Sequence, residues 1–165
     1  MKCLTAKEEK EVLTYLHEAG EEAKKATCLR AKCGSVIVKD GKIVGRGFNS
    51  PPADLESQRR CEKKDELKKG FKSDRTCCIH AEARAIQDVM LHDPSSLRGA
   101  RLYFVRVDDN GTIERSGEPY CTYCSKLALD SGLSEFVLWH KKGVCIYDTE
   151  EYNDLSFQYG DPVED

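Results

Sequence analysis

His80-Ala81-Glu82 and, further along, Pro119-Tyr120-Cys121-Thr122-Tyr123-Cys124 place one imidazole, two thiols and one carboxylate in two short segments. One histidine and two cysteines are donors that suit Zn²⁺. Three donors leave the fourth tetrahedral position open for water, the arrangement of a catalytic zinc and not of a closed structural one. An ion held in this way supplies hydroxide near neutral pH. Glu82, two residues after His80, then serves as a proton carrier: it takes a proton from the water, delivers it to a ring nitrogen and later protonates departing ammonia. These parts suit hydrolytic deamination of an amino-heterocycle. Neither half is diagnostic alone, because nine cysteines, four histidines and the glutamates among 165 residues produce a Cys-x-x-Cys about 0.5 times and a His-x-Glu about 0.4 times by chance. Context strengthens the pair. Each motif opens a predicted helix, where the positive end of the dipole favours thiolate over thiol.

The elements that must position these groups follow from periodicity. Val12, Leu13, Leu16, Ala19, Ala23 and Ala26 recur at helical spacing among charged residues, which predicts an amphipathic helix over 6–26, with Gly20 as a blemish. Ser35–Val38, then Asp40-Gly41, then Ile43–Phe48 reads as a β-hairpin with a tight primed turn. A helix is predicted over 81–91, stopped by His92-Asp93-Pro94, then a strand over 101–107. A further helix over 121–131 ends at Gly132, and strands are expected over 134–139 and 144–147. The order predicts a single α/β domain over 1–165, a mixed sheet of about five strands with helices packed on it. Residues 58–75 form a polar insertion with eight Lys/Arg against four Asp/Glu, a net of +4, and 148–165 form a C-terminal tail.

Composition narrows the function classes. A chain of 165 residues can bury a core without covalent staples. The start, Met1-Lys2-Cys3-Leu4-Thr5-Ala6, leads directly into charge and has no apolar signal segment; no stretch has the length of a membrane span. A soluble, cytoplasmic protein is expected. Without an export signal and with an odd cysteine count, the cysteines (3, 28, 33, 61, 77, 78, 121, 124 and 145) are read as metal ligands and packed thiols, Cys3 and Cys145 among the latter. The net charge of −3 disfavours general attraction to nucleic acid, so a small metabolite is the better partner.

At these motifs the chain resembles the cytidine/deoxycytidylate deaminase superfamily, over approximately residues 28–147. Gly34–Ile37, Gly47-Phe48-Asn49-Ser50-Pro51, Cys78–Ile86 and Cys121–Leu133 are most similar to the deoxycytidylate branch. The resemblance implies a three-layer α/β/α fold with a five-stranded sheet, a catalytic Zn²⁺ on His80, Cys121 and Cys124, and Glu82 as acid and base. It further implies that Asn49 binds the sugar, that the backbone at Ala81 holds the pyrimidine edge, and that the protein is a homo-oligomer. It also implies a second, structural zinc on Cys28, Cys61 and Cys78, with Cys77 or Cys33 as a fourth ligand. Two positions depart from the family pattern: Tyr120 occupies the position of a proline, and Ser50 follows Asn49 where glycine is usual. The second departure leaves control by dCTP and dTTP open.

Three functions of different classes are weighed. The first is deamination of a free cytosine nucleotide, with dCMP converted to dUMP. The second is deamination of a base within nucleic acid, such as tRNA adenosine, which the acidic composition disfavours although the basic insertion offers a local RNA contact. The third is a catalytically silent zinc module, against which Glu82 speaks. Arg59, Arg60, Lys63 and Lys64 are read either as phosphate contacts or as a solvated face, and Tyr123 either as a base-stacking ring or as a packed one.

Overall fold

The computed structural model describes residues 1–61, 77–115 and 117–159; Lys63, Lys64 and most of the basic insertion lie outside the described residues. The chain runs β1 (Lys2–Cys3), α1 (Ala6–Lys24), β2 (Lys32–Lys39), β3 (Lys42–Phe48), α2 (Ala81–His92), β4 (Arg101–Val107), β5 (Ile113–Glu114), α3 (Thr122–Asp130), β6 (Glu135–His140), β7 (Gly143–Asp148) and α4 (Thr149–Phe157). The strands form one sheet in the order β1-β7-β6-β4-β2-β3, with β5 pairing β4. Only the β4–β6 pair is parallel; the others are antiparallel.

The five long strands are those expected, and the sheet has seven because β1 and β5 each add two residues at its margins. Two-residue strands carry no alternation to read, since they exist only because a neighbouring strand offers unpaired backbone groups. The hairpin turn is as anticipated, with Asp40 at φ 49° and Gly41 at φ 74°.

Strand alternation separates two cores. Val36, Val38, Tyr103, Val105, Val107, Val137 and Val144 face α1 through Val12, Leu16, Ala19 and Ala23. On the other face, Ile37, Leu102, Phe136, Leu138, Cys145 and Tyr147 pack with Ala85, Ile86 and Val89 of α2, Ala128 of α3 and Tyr152 of α4. The result is the three-layer arrangement, with α1 alone on one side. Its N-terminus is closed by Glu8, whose carboxylate accepts from Thr5 N at 2.9 Å and Thr5 Oγ1 at 2.8 Å. Gly20 is no blemish, since a Cβ there would stand 2.9 Å from Ile113 Cδ1.

The helix carrying His80 sits unusually close to the sheet. A Cβ at Gly47 would fall 2.2 Å from the Ala81 carbonyl oxygen, and one at Gly45 would fall 2.6 Å from that of Ala85. Arg46, between them, points the other way to Glu18 at 2.9 Å and Glu22 at 3.2 Å on α1. One expectation is corrected: Cys3 and Cys145 are not free thiols but form a disulfide joining β1 to β7, across 142 residues of sequence. Nothing in their spacing announces it; only the antiparallel pairing of the two short segments brings them opposite.

Candidate active site

Both motifs lie where helices begin. His80 is the residue before α2 and Cys121 the residue before α3, so two helix N-termini converge on the same point. The Cys121 and Cys124 sulfurs lie 3.2 and 3.3 Å from His80 Nδ1, and the three donor atoms fall within 4.8 Å of one another. Sulfur and nitrogen donors of a tetrahedral Zn²⁺ stand about 3.6 Å apart, so the residues present fit such an ion. A hydrogen bond from Cys124, followed by His80, takes the Cys121 thiol down to about 4. The Cys121 thiolate in turn takes His80 up to about 9 against its burial. A buried set of one imidazole and two thiols is one that a cation can enter by displacing protons.

Glu82 lies in the first turn of α2 and is only 5% exposed. Burial pushes its carboxyl above the usual carboxylate range, the His80 charge opposes that, and the Cys121 thiolate adds to it. Ala81, fully buried, has its carbonyl against Gly47. The segment before α2 is tied to the end of β3, since Ile79 N donates to Ser50 O at 3.0 Å and the Arg84 guanidinium to Pro51 O at 2.8 Å. Asn49 is buried beside them. Its Oδ1 accepts from Cys33 N and its Nδ2 donates to Ala31 O, both at 2.8 Å.

The family description "Cytidine and deoxycytidylate deaminase zinc-binding region" matches residues 9–140, most of the chain and all of the constellation above. The chain belongs to this deaminase family. It is 32% identical over 129 residues to the deoxycytidylate deaminase of Mycobacterium phage D29, covering 74% of this chain and 89% of that protein. The fold is shared with solved structures. One is the dCMP deaminase of cyanophage S-TIM5 in complex with dCMP and dUMP (21% identity, TM-score 0.55, 81% of each chain). Another is the cytidine deaminase of Burkholderia pseudomallei (18% identity, TM-score 0.55, 85% of this chain and 94% of that one).

This deaminase-family chain carries a second group of donors directly before His80. The Cys28, Cys61 and Cys78 sulfurs lie within 4.8 Å of one another. Cys77 reaches the same group, 2.9 Å from Cys61 and 3.8 Å from Cys78. A hydrogen bond from Cys78 brings Cys28 down to about 5. Cys33 stands apart from this group; burial raises its thiol, and Glu82 is the next cause. Arg59 donates to Thr27 O at 2.8 Å and pairs with Glu56 at 2.6 Å, which directs it to the chain beside Cys28.

Some residues near the deaminase site were not singled out by sequence. Ser125, fully buried, follows Cys124 and donates to Asn153 Oδ1 of α4 at 2.8 Å. Tyr152 is expected as a docking aromatic and does dock; burial raises its phenol well above its ordinary value, with Glu82, Cys124 and Cys121 adding to that. The helical spacing of Tyr152 and Tyr159 was the available signal. Tyr123 is 62% exposed, so it does not pack in the core. A cavity of about 450 Å³ lined by His17, Lys24, Ile113, Arg115 and Trp139 lies on the α1 side and contains none of these residues.

Proposed function

We propose that the protein is a zinc-dependent hydrolytic deaminase of a cytosine nucleotide, converting dCMP to dUMP with release of ammonia. The observation that carries the reading is the convergence of His80 Nδ1 and the Cys121 and Cys124 sulfurs beside the buried Glu82. The deoxycytidylate deaminase of the D29 phage, 32% identical, supports the choice of substrate. A zinc ion held by His80, Cys121 and Cys124 would supply water activated for attack at neutral pH.

The chain's own residues do the rest. Glu82, with a carboxyl raised by burial above the usual carboxylate range, takes a proton from the attacking water and places it on N3 as oxygen bonds to C4. The same carboxylate then takes the remaining hydroxyl proton and gives it to the amino nitrogen. The C4–N bond breaks, ammonia leaves, and the uracil carbonyl forms. Asn49 holds the sugar, and the Ala81 backbone orients the base. Low accessibility at Glu82 keeps bulk water from competing for its proton.

The same reading places a structural zinc on Cys28, Cys61 and Cys78, with Cys77 as the fourth donor. The contacts of Cys77 with Cys61 and Cys78 favour it over Cys33. It also includes a homo-oligomer, supported by the solvent-facing Met90 and Leu91 of α2 and Leu129 of α3; native mass at working concentration tests this.

Ammonia release is measured for zinc-loaded protein on cytosine and adenine nucleosides, their mono- and triphosphates, and tRNA, with Glu82→Gln as the blank. Turnover of dCMP well above the rest is expected. Turnover of tRNA alone would transfer the chemistry to a nucleic acid base, and no turnover of any compound with zinc fully bound would overturn the substrate.

A further inference from the structure

We propose that α4 is a clamp that holds the Cys121-x-x-Cys124 segment in place, with Asn153 as its principal positioning residue. The inference rests on reading that segment as metal-ligating.

The segment cannot hold itself. Residues 117–121 belong to no helix or strand, and α3 is only nine residues long. Its own backbone bonds, such as Ser125 N to Cys121 O at 2.9 Å, tie it to itself and not to the sheet. A loop leading into a short helix is a part of a fold that opens readily unless it is tied to its surroundings. Two donors that must stay within a few tenths of an ångström of a tetrahedral position need an outside reference.

Helix α4 and the turn that follows it supply that reference from both sides of the cysteine pair. After Cys124, the buried Ser125 hydroxyl donates to Asn153 Oδ1 at 2.8 Å. Before Cys121, the Tyr120 ring meets the Tyr159 ring edge to face, centroids 4.7 Å apart at 87°. Between these two contacts Tyr152, 3% exposed, stacks on Phe136 of β6 at 3.9 Å and 10°, and meets Tyr147 of β7 edge to face at 5.8 Å. The helix is itself pinned to the sheet: Thr149 N donates to Ser134 O at 3.1 Å, and Asp148 accepts from Glu150 N at 2.9 Å. A continuous path therefore runs from β6 through Tyr152 and Asn153 to Ser125 and Cys124. The Ser125 hydroxyl has one alternative acceptor, Thr122 O at 3.2 Å within α3. Without Asn153 it turns inward, and α3 loses its hydrogen bond to α4.

The test compares wild type with Asn153→Ala, Ser125→Ala, the double variant, and Asn153→Asp, which keeps an acceptor at the same place. Two quantities are read: kcat on dCMP, and the rate at which metal passes to a competing chelator in the phase that Cys121→Ser abolishes. Asn153→Ala is expected to release metal at least fivefold faster and to lose about tenfold in kcat, with KM within twofold. Asn153→Asp should recover most of both, and the double variant should be no worse than either single one. Release and kcat within twofold of wild type in Asn153→Ala would overturn the clamp, as would an Asn153→Asp variant as impaired as Asn153→Ala. If wild type turns over no cytosine nucleotide, the functional reading fails on its own, while the chelator rates still decide the clamp.

Discussion

In the proposed mechanism the Glu82 carboxyl is base and acid in turn, and its surroundings suit both. Burial raises its proton affinity, while His80 holds it back from staying neutral. Because it is not among the three grouped donors, Glu82→Gln should leave zinc content unchanged and lower turnover by roughly a thousandfold, the scale of general acid–base catalysis. Ammonia release alongside elemental analysis checks both halves; a variant that lost its metal as well would make Glu82 a ligand. Cys77 and Cys33 illustrate what residue types alone leave undecided. Both are thiols available to a second site, and only the contacts of Cys77 with Cys61 and Cys78 separate them. If both proposed donor sets hold zinc, about two zinc equivalents per chain are expected, falling to one in Cys61→Ser; elemental analysis of the purified protein reads this directly.

Among the elements, α2 carries the most function and tolerates the least movement. Gly47 lets its first turn rest on β3, and a Cβ there would lie 2.2 Å from the Ala81 carbonyl and 2.5 Å from Ala85 N. Gly47→Ala should therefore displace His80 and Glu82 together, lowering kcat roughly tenfold or more and stability by about 1–3 kcal/mol; turnover and thermal midpoint read the two effects. Helix α1 makes a different prediction. Glu8 is held at about 2, below its ordinary value of 4.5, by the hydrogen bond from Lys2 first and then by Thr5. A lowered carboxyl favours the fold above the unfolded value and loses that contribution as pH falls from about 4.5 toward 2. Thermal midpoints of wild type and Glu8→Gln should differ at pH 6 and converge near pH 2. Both helices were legible in the sequence. The closeness of α2 to β3 was not, because a glycine in a strand does not say which helix will lie over it.

For the whole molecule, the disulfide joins the edge formed by β1 and β7, opposite β3 in the strand order. Closing 142 residues of chain constrains the unfolded state, so Cys3→Ser, or reductant acting on wild type, should cost roughly 2–5 kcal/mol. Turnover at 25 °C should stay within twofold, because the start of α2 rests on β3, at the opposite edge of the sheet. Denaturant unfolding with and without reductant, paired with activity, separates the two. No helix among the described residues is long and apolar enough to cross a membrane. The sequence by itself determined the chemistry and the main elements: His80, Glu82, Cys121 and Cys124 stand at helix starts, and the five long strands alternate, because both properties depend on neighbours within a few residues. What only the tertiary structure decided involves groups far apart along the chain. These are the pairing of Cys3 with Cys145, the choice of Cys77 over Cys33 beside Cys61 and Cys78, and the grip of α4 and the turn after it on the cysteine pair through Asn153 and Tyr159. Such contacts are set by sheet order and helix packing, and no local pattern encodes which distant residues that packing brings together.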